Sequence, residues 1–380
     1  MCKWKIIRST LAIALILALT MTLAACGKKQ VDTQGQSASN ETYVIGFNTW
    51  GSGSPTFDVM GDEIAYTINV YGLDGSRVSD DFTPDKTLQN VQNFIAAEVD
   101  GIVMQISAPP VFPQAADVCK NAEMPFVMGI FCGLPDDRMG VSADNPFYVG
   151  AVEANVYEDG YLMGKAAAAD GHKTALLIGG NVGDYHFEQR IAGFTKAFVE
   201  EGSGTIVDEA RCASPAESQE KANALLSANR DADCIYAMVG DYVTGPINAM
   251  DTLGITEMAL YVSNGGLDTA NYIKEGRVAA CGGGNDLASG IATALLINYL
   301  DGHKILDGSG KAPELEIIPF LVTKDNVDDY ISLFFADGAH PMSPALLKTL
   351  VWRFSSDVSY KTFTDLLDSG LTLEALQAAH

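Results

Sequence analysis

Between Lys173 and Lys196 the chain carries a single basic residue, Arg190, inside the stretch KTALLIGGNVGDYHFEQRIAGFTKAF. A guanidinium offers a rigid fork of donors that matches adjacent hydroxyl oxygens. His186, four residues earlier on the same helical face or its leading loop, is a second candidate donor. The bland alternatives are an ion pair of Arg190 with Asp184 or Glu188, and a histidine on the surface. Catalytic patterns are missing: the sequence has no GxSxG, HExxH or P-loop. Gly51-Ser52-Gly53-Ser54 has the glycines of a phosphate loop but lacks the lysine that follows. His172, His186, His303, His340 and His380 are far apart and no CxxC occurs, so neither a metal site nor a cofactor is expected. These residues describe a binding protein and not an enzyme.

The elements needed to hold Arg190 surround it. Ala175 to Ile178 is a continuous apolar run, as a buried parallel strand requires. A Gly-rich polar turn follows, then Phe187, Ile191, Phe194 and Phe198 at helical spacing. The turn stands at the carboxyl end of the strand, where open α/β sheets bind small molecules. This unit is half of an expected binding cleft. Strand and helix signals alternate from Tyr43 onward, with strands at Tyr43–Phe47, Gly75–Asp80, Asp100–Ile106 and Pro125–Gly129. A long helix of small residues is expected at Tyr148–Ala169, and the rhythm then restarts. The βαβα order predicts α/β architecture with parallel, doubly wound sheets, and the restart near residue 145 predicts two similar lobes.

The first residues address the protein. Lys3, Lys5 and Arg8 precede an apolar core, Leu11 to Leu23, which ends in Leu23-Ala24-Ala25-Cys26. This resembles a bacterial lipoprotein signal: residues 1–25 are removed, Cys26 is lipidated, and residues 26–42 form a flexible tether. A plain secretory signal with a coincidental cysteine is the alternative. Either way the folded part is extracytoplasmic, and the lipid would hold it at the cell membrane. The formal charge of −24 argues against nucleic acid or anionic surfaces as partners. The remaining cysteines, Cys119, Cys132, Cys212, Cys234 and Cys281, are odd in number and read mostly as small buried hydrophobes.

Seven segments then carry a resemblance to a known family. They are IGF with SPTF nearby, TPDKTLQNVQNFIAAEVDGIVMQ, MPFVMGIFCGLPDDRMGVSADN, HFEQRIAGFTKAF, CIYAMVGDYVTGPINAMDTLGI, YVSNGGLDTANYIKEGRVAACGGGND and IIPFLVTKDNVDD. In this order, from Val44 to Asp329, they resemble the type I solute-binding proteins of ABC importers, of the ribose and galactose kind. The resemblance implies lobes joined by three crossings, placed near Ser142–Asn145, Cys281–Asn285 and Ile317–Val322. It assigns residues 43–144 and 283–318 to the first lobe, and 145–282 and 319–380 to the second. The last fifty or so residues are expected to pack on the second lobe.

The same resemblance nominates ligand residues. Arg190 stands at the ligand arginine of RxxGF, Asn264 at the place of a ligand Asp, and Asn285 near a ligand Gln or Asp. Asp241 follows the lost Asn of an Asn-Asp pair, with helix capping as its alternative role. Ser54 and Phe57 stand in place of the family's Asn-Pro-Phe-Phe, and Trp50 supplies a possible second aromatic plane. Phe131 lies where an acid is common, so the pocket is expected to be less acidic and more apolar than a typical sugar site. The implied function is capture of a small polar, sugar-like ligand and its delivery to ABC permease subunits by a monomer. A nucleoside, autoinducer or aromatic metabolite is the alternative cargo, and a sensory subunit of a membrane kinase the alternative role.

Overall fold

Runs such as Gly101–Met104 and Phe126–Ile130 are buried at every position, as strands covered on both faces must be. The computed structural model describes residues 42–53, 55–106, 108–212 and 214–380. The leader, Cys26, nearly all of the tether and Ser54 lie outside the described residues. Among these, the strands are β1 (Val44–Thr49), β2 (Asp74–Ser79), β3 (Gly101–Met104), β4 (Phe126–Ile130), β5 (Tyr148–Ala154) and β6 (Thr174–Gly179). They continue as β7 (Thr205–Arg211), β8 (Cys234–Ala237), β9 (Ala259–Val262), β10 (Ala280–Gly283), β11 (Glu314–Ile317) and β12 (Phe320–Thr323).

Two six-stranded sheets result, ordered β2-β1-β3-β4-β5-β11 and β7-β6-β8-β9-β10-β12. Every pair in the first is parallel. In the second only β12 runs antiparallel, beside β10. The chain passes between sheets after β5, after β10, and between β11 and β12. The expected first passage near residue 144 is therefore displaced to Asn155. Tyr148–Ala154 (YVGAVEA), expected as the start of a helix, is a fully buried strand of the first sheet. Its small residues merge with the Ala-rich helix Val156–Ala169, and a strand buried on both faces shows no alternation to reveal it. Asn155 marks the join, accepting a hydrogen bond from Glu158 N as the helix N-cap.

A second correction concerns the C-terminal residues. Helix Val327–Phe334 does lie beside β12 of the second sheet. Residues 344–369, expected there too, pack on the first lobe instead. Tyr71 Oη donates to Leu347 O at 3.0 Å, and Asn298 Nδ2 to Leu350 O at 2.8 Å. Arg353 Nε donates to Asp301 Oδ2 at 2.8 Å, and the His303 and Trp352 rings stack 4.0 Å apart. The cause is helix Leu287–Leu300 (LASGIATALLINYL), in which Leu287 to Asn298 are all buried. One face lies on β3, β4 and β5. A helix apolar all round needs further cover, and the helix Pro55–Val70 and the C-terminal segment supply it together. The five described cysteines are unpaired and buried.

The helices Val156–Ala169 and Tyr185–Phe194 touch backbone to backbone. A Cβ on Gly160 would overlap the carbonyl oxygen of Arg190, and one on Gly193 that of Tyr157. This contact sets the position of Arg190. Gly160→Ala should force the helices apart and destabilise the protein by about 1–3 kcal/mol, read as a lower midpoint in urea unfolding; an unchanged midpoint would mean that the helices part without cost.

Candidate functional site

Side chains from the carboxyl ends of strands in both sheets meet at the crossings. Trp50 follows β1, and its ring lies 5.1 Å from Phe57 and 4.8 Å from Phe131. Phe82 completes this wall, 5.2 Å from Phe57. Phe131 is thrown toward it by a tight turn at the end of β4, in which Phe131 N donates to Gly129 O at 3.0 Å. Ile130, at the centre of that turn, has φ 68°. A β-branched residue is strained in the left-handed region, and its buried side chain holds it there.

The second lobe supplies the polar wall. Asp184 caps the helix Tyr185–Phe194, accepting from His186 N and Phe187 N at 3.0 and 3.3 Å. His186 is 5% exposed, so the surface alternative is excluded, and its ring lies 5.0 Å from Phe131 of the other lobe. Burial and the nearby Arg190 and Arg138 push its pKa down to about 3, which keeps the imidazole neutral. Arg190 is 2% exposed and pairs with neither Asp184 nor Glu188. Glu188 binds Arg211 at 2.6 Å. Arg190 Nε donates instead to Asp159 Oδ2 at 3.4 Å. Burial raises the pKa of the Asp159 carboxyl on balance, and Arg190, Ser263 and Asn285 hold that rise in check.

Asn264 and Asn285 join this set. Asn264 follows β9 with φ 46°, a conformation asparagine tolerates. Asn285 stands on the second passage and donates Nδ2 to Asn264 Oδ1 at 3.2 Å. Six buried polar atoms of these residues and of the neighbouring Asp286 are left without a hydrogen-bond partner: Arg190 Nη2, His186 Nε2, Asn264 Nδ2, Asn285 Oδ1, Asp159 Oδ1 and Asp286 Oδ2. A small cavity of about 20 Å³ touches Asn264, Asp286 and Met60. Asp286 is buried, and desolvation followed by the charge of Glu63 raises its pKa to about 7.

The structure thus brings Trp50, Phe57, Phe131 and His186 into one contact set, with Arg190, Asn264 and Asn285 joined through Asp159. Asp241 stands in the turn Gly240–Tyr242 at the same end of the second sheet, and the helix Thr244–Leu253 starts without a side-chain cap. Sequence reasoning missed Asp159, Ser263, Asp286 and Phe82. The buried acids beside these residues are Asp159 and Asp286, and neither stands at the end of β4. The one local signal for Asp159 was an acid beside glycine at the start of a small-residue helix.

A family profile described as a periplasmic binding protein domain matches residues 45–304. A periplasmic solute-binding protein of an ABC transporter from Actinobacillus succinogenes, solved with bound D-allose, superposes with a TM-score of 0.68. It is 19% identical, with 76% of this chain and 100% of that one covered. The arabinose-transporter binding protein of a Shewanella species, bound to L-arabinofuranose, gives 0.68 at 17% identity, over 78% and 96% of the two chains. A periplasmic ribose ABC transporter structure from Conexibacter woesei gives 0.64 at 20% identity, over 79% and 97%. None of the curated proteins matches the sequence. With two parallel-sheet lobes and a profile match over most of its length, the chain belongs to the periplasmic binding protein family, a family of solute-binding proteins and not of enzymes.

Proposed function

We propose that this protein is a lipid-anchored extracytoplasmic receptor that captures a small, sugar-like ligand between its lobes and delivers it to an ABC importer. The observation that carries the reading is the set of unpartnered buried atoms gathered around the Asp159–Arg190 pair: Arg190 Nη2, His186 Nε2, Asn264 Nδ2, Asn285 Oδ1 and Asp159 Oδ1. Donors and acceptors are mixed, and hydroxyl groups, which both donate and accept, can satisfy such a mixture. The rings of Trp50, Phe57 and Phe131 offer apolar planes to a sugar face. Allose and arabinofuranose in the neighbouring structures agree with this class of ligand.

The same cluster of four aromatic rings favours a second reading, a planar ligand such as a nucleoside or an aromatic metabolite. A thermal-shift panel of sugars, polyols, nucleosides and aromatic metabolites separates the two. A ligand at 100 times its dissociation constant should stabilise the protein by about 2.7 kcal/mol. A shift with a sugar or polyol supports the first reading, and a shift confined to nucleosides or aromatics replaces it with the second.

Arg190→Ala should weaken the ligand so identified by about 1.5–3 kcal/mol in calorimetric titration; an unchanged affinity removes Arg190 from the site. Cys26→Ser should move the protein from the membrane fraction to the soluble one with ligand binding retained. Persistence at the membrane contradicts the lipid anchor.

A further inference from the structure

Arg190 would be an anion site if it stood alone. A guanidinium 2% exposed attracts carboxylate and phosphate strongly because little water screens it. It does not stand alone. The Asp159 carboxylate is 0% exposed and lies 3.4 Å from its Nε. The space for that carboxylate is built into the fold: a Cβ on Gly282 would overlap Asp159 Oδ1, and Gly160 lets the two helices close on each other. Ser263 and Asn285 also face the carboxylate.

We infer that Asp159 sets the charge selectivity of the cleft, neutralising Arg190 from within the protein so that the site admits an uncharged hydroxylated ligand and rejects its acid or phosphate ester. This rests on the solute-binding reading above. A ligand anion would place a second negative charge beside Asp159 in a poorly screened site, which like-charge repulsion and desolvation both oppose. Among the described residues, no other cation near the site is available to receive it. Arg138 is held by Glu153 at 2.6 Å and by Glu314 at 2.7 Å. His186 is neutral, and Arg211 is bound to Glu188. What Arg190 leaves open is Nη2, a single donor edge suited to one or two hydroxyl oxygens.

The test uses the full chain and its Asp159→Asn variant, with thermal shift and calorimetry against sodium formate, inorganic phosphate, and the pair D-galactose and D-galacturonate at matched ionic strength. The unsubstituted protein should show no saturable response to formate, phosphate or galacturonate. D159N should melt at a lower temperature, recover part of the loss on saturation with formate or phosphate, and bind these anions at least tenfold more tightly than the unsubstituted protein. Saturable anion binding by the unsubstituted protein overturns the inference, and so does a folded D159N that ignores anions. Should D159N fail to fold, the double variant D159N/R190Q decides. Removing both charges should give a protein more stable than D159N and indifferent to anions. A double variant no more stable than D159N, or one that still binds anions, overturns the pairing. Failure of the sugar reading looks different: no uncharged ligand shifts the unsubstituted protein, whatever the anion series does.

Discussion

Two opposite charges, Asp159 and Arg190, are held together out of water where two helices touch backbone to backbone, and the rest of the site is arranged around them. A buried ion pair is not in itself a large source of stability, because desolvation offsets most of its attraction. Removing one partner is another matter and costs several kcal/mol. The pair therefore acts mainly as a constraint on position. It requires the first passage between lobes to end at Asn155, so that the capped helix begins with Asp159 in its first turn. It also requires glycine at 160 and 193, where a side chain would part the helices, and at 282, where one would take the space of the carboxylate.

The two walls of the cleft differ in kind. The first lobe presents rings, Trp50, Phe57, Phe82 and Phe131, positioned by strand ends and by the strained turn at Ile130. The second presents hydrogen-bonding groups carried by a helix start, a strand end and the second passage. Apolar planes against directional polar groups give both affinity and orientation to a small polar solute. Contact between Phe131 and His186 joins the walls across the lobes.

The C-terminal segment adds a constraint on the lobes themselves. Helix Val327–Phe334 sits with the second sheet, and the chain then returns to the first lobe. On the way His340 stacks on Tyr66, with ring centres 3.6 Å apart, and lies 2.7 Å from Glu63 of the same first-lobe helix. The final helix, Leu373–Ala378, comes back to Val327–Phe334. Beyond the three passages, the lobes are thus bound by a segment that covers the apolar helix Leu287–Leu300.

Much of this was legible from the residues in order. Ala175–Ile178 followed by glycines and a helical stripe of Phe187, Ile191 and Phe194 defines a strand, a turn and a helix from local periodicity, and places Arg190 at a strand end. The same logic gives the alternation that makes two parallel sheets. It fails at Tyr148–Ala154, where a strand buried on both faces has no alternation and its glycine and alanines imitate a helix. It also fails for residues 344–369, because an amphipathic segment shows that it needs an apolar partner without showing which one. The sequence by itself determined the lobes, their rhythm and the arginine. Only the tertiary structure decided that the arginine is matched by an acid 31 residues away, since pairing through space depends on how helices pack and leaves no period in the chain.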